Sequence, residues 1–300
     1  MPVVEIAPGI TRIESVLGPR PFSQYLLRGE RSLLVDTGVA ETPAAVILPA
    51  LDGLEPDLVL LTHADVDHFG GTAAICQAAP HALVLAHVAD AAWIESSELI
   101  LRERYGWYEP YRIGYDAETF AWLRDAMGPE TPVDLRLTGN EVVRLGPQLE
   151  VRVLHLPGHS PGHIGLWEPA SRTAIVSDAV LGRGLLDTEG NVVHPPPIGD
   201  PAGYERSARL LRELAPERLL TAHYDVLEGE DVVRFLDDSL AFVERAREVV
   251  ASALAKDPDV TMKDLLARAD HELGPFTSMP NELGATLRGV LSELGREPRA

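Results

Sequence analysis

The stretch LLTHADVDHFGG, residues 60–71, places His63, Asp65, Asp67 and His68 within six positions directly behind an apolar run. The run DLVLLTH is typical of a buried strand, so these side chains follow its carboxyl end, where ligand sites lie in α/β folds. Beyond a strand end, side chains no longer alternate between two faces and can converge on one point. Two imidazoles and two carboxylates offer partial shells for two divalent ions. The stretch therefore predicts a metal site.

Four further apolar runs end in the same way. RSLLVDTG delivers Asp36, EVRVLHLPGHSPGH delivers His159, TAIVSDAV delivers Asp178, and RLLTAHYD delivers His223. Between them the chain alternates strand and helix patterns, which is typical of a layered α/β fold. A His or Asp behind each of five strand patterns is a repetition that chance does not explain. We therefore expect these strand ends to meet at one site.

In the order of these five motifs, residues 36 to 223 of the chain resemble the metallo-β-lactamase superfamily, which includes glyoxalase II-type thioesterases and acyl-homoserine-lactone lactonases. The resemblance implies an α/β fold, the αβ/βα four-layer sandwich, with metals at one edge between two sheets. The ligands that it implies for the first metal are His63, Asp65 and His159. Those for the second are Asp67, His68 and His223, with Asp178 bridging both. Asp36 would orient the motif loop through hydrogen bonds.

The sequence departs from the family's usual motif, His-x-His-x-Asp-His, at its second histidine, which is Asp65 here. A carboxylate keeps a donor in place but hardens the site, which favours iron or manganese more than an all-histidine shell would. The nearest family precedent is the flavodiiron proteins, whose motif resembles His-x-Glu-x-Asp-His. Because Asp is shorter than Glu, a weakly held or missing first metal stays open. The expected cofactors are two divalent ions, zinc first, with iron or manganese as alternatives.

Composition limits the classes of partner. The 46 acidic residues outnumber the 26 Lys and Arg, giving a net charge of −20, which argues against binding to nucleic acid. Cys76 is the single cysteine, so a Cys-rich zinc site is excluded. The N-terminal residues lack the basic and apolar regions of a signal peptide, and no apolar run approaches the roughly 18 residues that span a bilayer. We expect a cytoplasmic protein that binds no membrane and acts on a small molecule.

The pattern also predicts the domain organisation. Residues 1–245 form the catalytic domain, interrupted by a helical lid at about 90–128, and residues 246–300 form a C-terminal helical extension. The lid holds three of the four tryptophans and four of the seven tyrosines. These rings suit a moderately apolar ligand, and equally the interface of a homodimer. The predicted substrate contacts are Trp107, Tyr108, Tyr111 and His194, while the direction of Arg102, Arg104, Arg112 and Arg183 stays open.

The predicted activity is hydrolysis of a small ester, lactone or thioester through a metal-bridging hydroxide, with lactonase as the leading member. Asp67 would orient the nucleophile and carry a proton, and Tyr224 would donate a hydrogen bond to the substrate. One alternative is a di-iron or mono-iron redox enzyme of flavodiiron or persulfide dioxygenase type. Another is a non-catalytic member of the family.

Overall fold

The computed structural model describes residues 3–300, and its strands form two large sheets and one small ribbon. The first sheet contains, in spatial order, Val3–Ala7 (β1), Ile10–Leu17 (β2), Arg20–Arg28 (β3), Ser32–Val35 (β4), Leu58–Leu60 (β5), Leu83–His87 (β6) and Leu135–Leu137 (β7). The second contains Leu227–Glu228 (β15), Arg218–Leu220 (β14), Thr173–Ile175 (β11), Ile164–Glu168 (β10), Leu149–His155 (β9) and Val142–Gly146 (β8). The ribbon pairs Leu185–Leu186 (β12) with Val192–His194 (β13).

The helices follow the predicted alternation with the strands. They span Leu48–Leu51 (α1), Val66–Phe69 (α2), Thr72–Ala78 (α3), Ala91–Glu95 (α4), Ser97–Ile100 (α5), Ala117–Ala126 (α6), Pro201–Leu214 (α7), Glu230–Lys256 (α8), Met262–Leu273 (α9) and Leu283–Glu293 (α10). Shorter pieces of π-helix cover Pro43–Ile47 and Leu101–Tyr105, and pieces of 3-10 helix cover Gly106–Tyr111 and Pro280–Glu282.

Strand alternation builds the layers. On β4, Leu33 and Val35 face the core between the two sheets, whereas Leu34 faces the helices that cover the first sheet. All three are essentially inaccessible to solvent, as expected for a strand covered on both faces. The outer face of the second sheet is covered by α7 to α10. The predicted αβ/βα sandwich is confirmed.

The two sheets meet at the edge where the predicted ligands lie. Strands β4, β5 and β6 are parallel, as are β11 and β14, so each set brings its carboxyl ends to one side. There the Ile164 amide donates to the carbonyl of Thr62 at 2.9 Å, and the Ser23 amide donates to the carbonyl of Ala222 at 2.9 Å. These hydrogen bonds tie the two sheets together beside the site.

The predicted helical insertion and C-terminal helices are also confirmed. The insertion contains α4, α5 and α6 with two irregular turns between α5 and α6. Its Tyr108 and Ile113 join the core that α8, α9 and α10 form on the second sheet. The expected domain boundary at 245/246 lies inside α8, which continues through it without a break.

Candidate metal centre

The site is built from loops that leave the strands at this edge. Asp36 follows β4, and His63 follows β5. Asp65 is the residue before α2, with extended backbone, and its successor starts the short helix that carries Asp67 and His68. The turn into α3 needs glycine at position 71, because a Cβ there would lie 2.3 Å from the carbonyl oxygen of Thr37.

His63, Asp65 and His159 form the first group of donors. The Nε2 atom of His159 lies 3.0 Å from Asp65 Oδ2, and that of His63 lies 3.8 Å from the same oxygen. Donors that share one ion through bonds of about 2.0–2.2 Å are separated by distances of this size. All three side chains can contribute one atom each to a common point.

Asp67, His68, Asp178 and His223 form the second group. Asp178 Oδ2 lies 3.5 Å from the Nε2 atom of His68 and 3.4 Å from that of His223. Asp67 Oδ2 lies 3.9 Å and 3.7 Å from the same two nitrogens. Asp178 also groups with His63 and His68, so it lies between the two sets of donors. The structure thus brings together all seven side chains that the sequence analysis singled out as ligands.

The unpaired atoms at the centre show what the cluster can hold. Within residues 3–300, the buried Nε2 atoms of His63, His68 and His223 and the Oδ1 atom of Asp178 have no hydrogen-bond partner. Buried polar atoms are nearly always paired, so such a group needs a missing partner. Imidazole nitrogen and carboxylate oxygen are ligands of divalent transition metals. The donor set therefore fits divalent metal ions.

The opposite nitrogen of each ligand histidine is held by an oxygen. The Nδ1 contacts are Thr62 Oγ1 for His63 (3.0 Å), Asp36 Oδ2 for His68 (2.9 Å), the Pro197 carbonyl for His159 (2.9 Å) and the Pro21 carbonyl for His223 (3.1 Å). An Nδ1–H that donates to oxygen leaves the lone pair on Nε2 and fixes the plane of the ring. The loops are thus arranged to present Nε2 to the centre.

Asp36 organises this arrangement without joining the donor groups. Its carboxylate accepts hydrogen bonds from the amide and hydroxyl of Thr62, from His68 Nδ1 and from the hydroxyl of Ser177. Its own backbone is in the left-handed region, with φ of 62°. These contacts link the ends of β4, β5 and β11, as expected of a residue that orients the ligands.

Charge is unevenly distributed over the cluster. Burial opposes ionisation of Asp178, but the imidazoles of His223 and His68 hold the pKa of its carboxyl well below the usual range. For His68, burial acts against the charged form, yet Asp67, Asp178 and Asp36 raise its pKa well above normal. Burial, reinforced by His68, lowers the pKa of His63 well below normal. To hold a metal ion in the second group, His68 would have to be in its neutral form with a lone pair on Nε2.

Asp65 has a partner that the sequence analysis left unassigned. Arg104, from the π-helical turn of the insertion, donates from Nε to Asp65 Oδ1 and from Nη2 to Asp65 Oδ2, both at 2.9 Å. Its Nη1 atom lies 3.3 Å from Glu282, just before α10. Although burial opposes ionisation, Arg104 and His159 hold the pKa of Asp65 well below its usual range. The insertion thus contacts the first donor group, and Glu282, just before α10, contacts it through Arg104.

Two of the other predicted site residues lie away from the cluster. The hydroxyl of Tyr224 donates to the carbonyls of Leu181 and Gly184, so the expectation that it faces the substrate was wrong. Tyr108 is fully buried and donates to Glu282 at 2.9 Å, so it cannot contact a substrate. In both cases neighbouring positions in the chain gave no information on the direction of the side chain.

The remaining predicted contacts lie around two cavities. An inner chamber of about 50 Å³ is bordered by His194 and by five of the seven ligands, namely Asp65, Asp67, His159, Asp178 and His223. An outer cavity of about 990 Å³ is bordered by Trp107, while Tyr111 packs against Trp107 and lines neither cavity. Arg104, His159 and Pro197 line both cavities and form the wall between them.

Comparison with known proteins agrees with this geometry. The family model described as the metallo-beta-lactamase superfamily matches residues 17–223. The chain belongs to this superfamily. The matched segment includes all seven donors and ends at His223.

Its relatives include named hydrolases. The chain is 31% identical to a hydroxyacylglutathione hydrolase of Anaeromyxobacter dehalogenans over 243 residues, which cover 81% of this chain and 68% of the relative. It is 26% identical to the acyl-coenzyme A thioesterase MBLAC2 of Gallus gallus, with 72% and 77% covered.

A solved metallo-beta-lactamase family protein from Thermus thermophilus shares the fold at 22% identity and a TM-score of 0.72, covering 97% of this chain and 95% of that one. Among the described residues of this superfamily member, no helix has both the length and the apolar character to cross a membrane.

Proposed function

We propose that this chain is a metal-dependent hydrolase that cleaves a small acyl thioester, ester or lactone, with a thioester as the first choice. The observation that carries the proposal is the convergence of seven donors, several with unpaired buried Nε2 atoms, on a chamber beside a much larger cavity. Bound divalent ions would supply Lewis acidity and lower the pKa of a coordinated water. The names of the relatives, an acylglutathione hydrolase and an acyl-coenzyme A thioesterase, support acyl transfer to water.

The chain's own residues would position the reacting groups. Asp67 borders the inner chamber and, among the described residues, has only imidazoles as recorded ion-pair partners. A carboxylate there can orient a water molecule by accepting its hydrogen and can pass that proton to the leaving group. His194 borders the same chamber, and burial, with Arg20 next in effect, lowers its pKa well below normal. A neutral His194 would contact the substrate as a hydrogen-bonding group.

The outer cavity supports a substrate with an anionic carrier. In its lining, Arg102 pairs with Glu103, Arg206 with Asp200 and Arg104 with Asp65. Arg288 has no ion-pair partner among the described residues. The guanidinium of Arg288 lies over the Trp107 ring, 4.7 Å from its centroid. Guanidinium groups recognise phosphate and carboxylate, and the indoles can stack on a base or cover an apolar chain. This lining favours a thioester with a charged carrier over the lactone that the aromatic lid suggested.

The first experiment loads the protein with zinc, manganese or iron and assays acyl-coenzyme A, acylglutathione, lactone and phosphodiester substrates. We expect hydrolysis of a thioester, and a loss of about 1,000-fold or more in kcat/KM on Asp178→Asn, because both donor groups use this carboxylate. Activity on phosphodiesters alone, or an Asp178→Asn variant with intact hydrolysis, would contradict the proposal. Oxygen consumption by the iron-loaded protein without hydrolysis would favour the redox alternative.

A matched pair of arginine variants tests the carrier. Arg288→Ala should raise KM for a charged thioester about fivefold or more and leave a small neutral ester unaffected, since only the charged carrier would reach it. Arg183→Ala, whose side chain instead pairs with Asp238 at 3.1 Å and lines neither cavity, is the control. If the two variants changed KM equally, the outer cavity would have no role in substrate binding.

A further inference from the structure

The first donor group contains a carboxylate whose charge is already matched. Both oxygens of Asp65 accept a hydrogen bond from one guanidinium, that of Arg104, in the bidentate arrangement that is strongest for this pair. The Arg104 side chain is 10% exposed and that of Asp65 is 14% exposed, so water screens the pair little. A cation that joined Asp65 Oδ2 would share this oxygen with an Nη2 atom that lies 2.9 Å away.

Among the described residues, the second donor group lacks a permanently charged partner of this kind. Within residues 3–300, the recorded ion partners of Asp67 and Asp178 are imidazoles of His68 and His223, with no Lys or Arg among them. Each group contains two histidines, so the histidines do not distinguish the groups and the difference lies in the carboxylates. Asp178 lies between the groups, so the difference rests on the other two carboxylates. The second group adds Asp67, which has no Lys or Arg partner among the described residues, and the first adds Asp65, which is paired with Arg104. Attraction for a divalent ion must therefore be stronger at the second group.

We propose that Arg104 makes the two metal sites unequal. The first equivalent of a divalent cation binds tightly to Asp67, His68, Asp178 and His223. The second binds weakly to His63, Asp65 and His159, and the ion pair with Arg104 sets the difference. Arg104 is a positioning residue that acts through Asp65. The inference concerns metal binding alone, so it does not depend on which substrate is hydrolysed or on whether any is.

Removal of Arg104 has two opposed effects on the first site. The Asp65 carboxylate loses a partner that orients it, which weakens binding, and loses a competing cation, which strengthens binding. Breaking a buried ion pair leaves the remaining charge unpaired at a large cost, and a divalent ion relieves that cost when it binds. Losing the competing charge of Arg104 therefore strengthens metal binding by more than the loss of orientation weakens it. The second binding step should tighten.

Calorimetric titration of the metal-free protein with zinc tests the inference. The wild type should show two steps with dissociation constants at least about 100-fold apart. In Arg104→Gln the second constant should fall by at least about tenfold while the first stays unchanged. Two equal steps in the wild type, or a second constant that is unchanged or larger in Arg104→Gln, would overturn the proposal.

Further variants separate the role of Arg104 from a general effect on folding. Glu282→Gln removes the other carboxylate on Arg104 and leaves the pair with Asp65, so the second constant should stay at its wild-type value. His159→Ala should abolish only the weak step, and His223→Ala should abolish the tight one. These two variants keep Arg104, so they assign each step to a donor group even if the Arg104 variant does not fold. If His159→Ala abolished the tight step and His223→Ala the weak one, the proposed order of binding would be refuted.

Discussion

At the scale of single residues, Tyr224 follows a ligand directly but has a structural role. Its hydroxyl donates to the carbonyls of Leu181 and Gly184, and its ring packs edge-on against Phe235 at 4.7 Å between centroids. We therefore expect Tyr224→Phe to keep kcat within about twofold of the wild type. Its free energy of unfolding should fall by roughly 1 kcal/mol, because a buried carbonyl loses its donor.

Steady-state kinetics and urea denaturation of the same preparation measure both quantities. His223→Ala, at the neighbouring ligand position, is the contrasting variant and should lose activity. A loss of more than about 100-fold in kcat for Tyr224→Phe with unchanged stability would return Tyr224 to the role of substrate donor.

The donor residues could be predicted from the sequence, and their partners could not. His63, Asp178 and His223 follow apolar runs, and a strand end fixes roughly where such a residue lies. Arg104 is 39 residues beyond Asp65, in an irregular helical turn that no periodicity in the sequence defines. Its second partner, Glu282, lies a further 178 residues along the chain. Such pairs depend on how the lid packs against the last helices, which a local pattern does not encode.

At the scale of elements, the turn between β7 and β8 is organised by one carboxylate. Glu141 accepts hydrogen bonds from the amide and hydroxyl of Thr138 at 2.7 and 2.8 Å, and from the amides of Gly139 and Asn140 at 2.9 and 3.0 Å. Partial burial acts against ionisation, but these donors lower the pKa of Glu141 to about 2. The ionised side chain therefore stabilises the turn that starts the second sheet.

The depressed pKa predicts how stability depends on pH. The contribution of ionised Glu141 to the free energy of unfolding is fully present above the ordinary glutamate pKa of 4.5. It is lost as pH falls from there through the folded-state pKa of about 2. Glu141→Gln should therefore be less stable than the wild type at pH 7, and the difference should shrink progressively between pH 5 and pH 3. Urea denaturation across this range measures it, with Glu213→Gln, an exposed position on α7, as the control. A difference that stays constant down to pH 3 would show that ionisation is not its cause.

The C-terminal helices pack into the same core as the elements before them. The predicted C-terminal helical extension consists of α8 to α10, each of which buries one apolar stripe with helical spacing. The predicted division at 245/246 falls inside α8. Val243 and Ala246, on either side of it, are both fully buried in one core, so packing continues where the pattern of motifs ends. The residues before and after 245/246 therefore share one hydrophobic core, although the metal ligands all lie before it.

At the scale of the whole molecule, the last helix belongs to the same core as the second sheet. Leu287 on α10 is fully buried in a cluster that also contains Leu156, Val176 and Leu219 beside the strands. We expect Leu287→Ala to lower the free energy of unfolding by about 2–5 kcal/mol, because it removes a buried side chain and leaves a cavity. Leu294→Ala, just beyond the same helix at 54% exposure, should change it by less than about 0.5 kcal/mol.

The number of unfolding transitions decides whether residues 246–300 are a separate unit. Because Leu287 shares its core with the sheet that carries Asp178 and His223, its loss should lower the midpoint of one cooperative transition for the entire chain. Calorimetry of metal-free protein, followed also by the fluorescence of Trp167 in a variant without the other tryptophans, measures this. If Leu287→Ala moved an early transition and left that of Trp167 in place, the C-terminal helices would unfold independently. A single transition would mean that the C-terminal helices unfold only together with the sheet that carries the metal ligands. Glu282, and the Arg104 side chain that it contacts, would then keep their positions for as long as that sheet is folded.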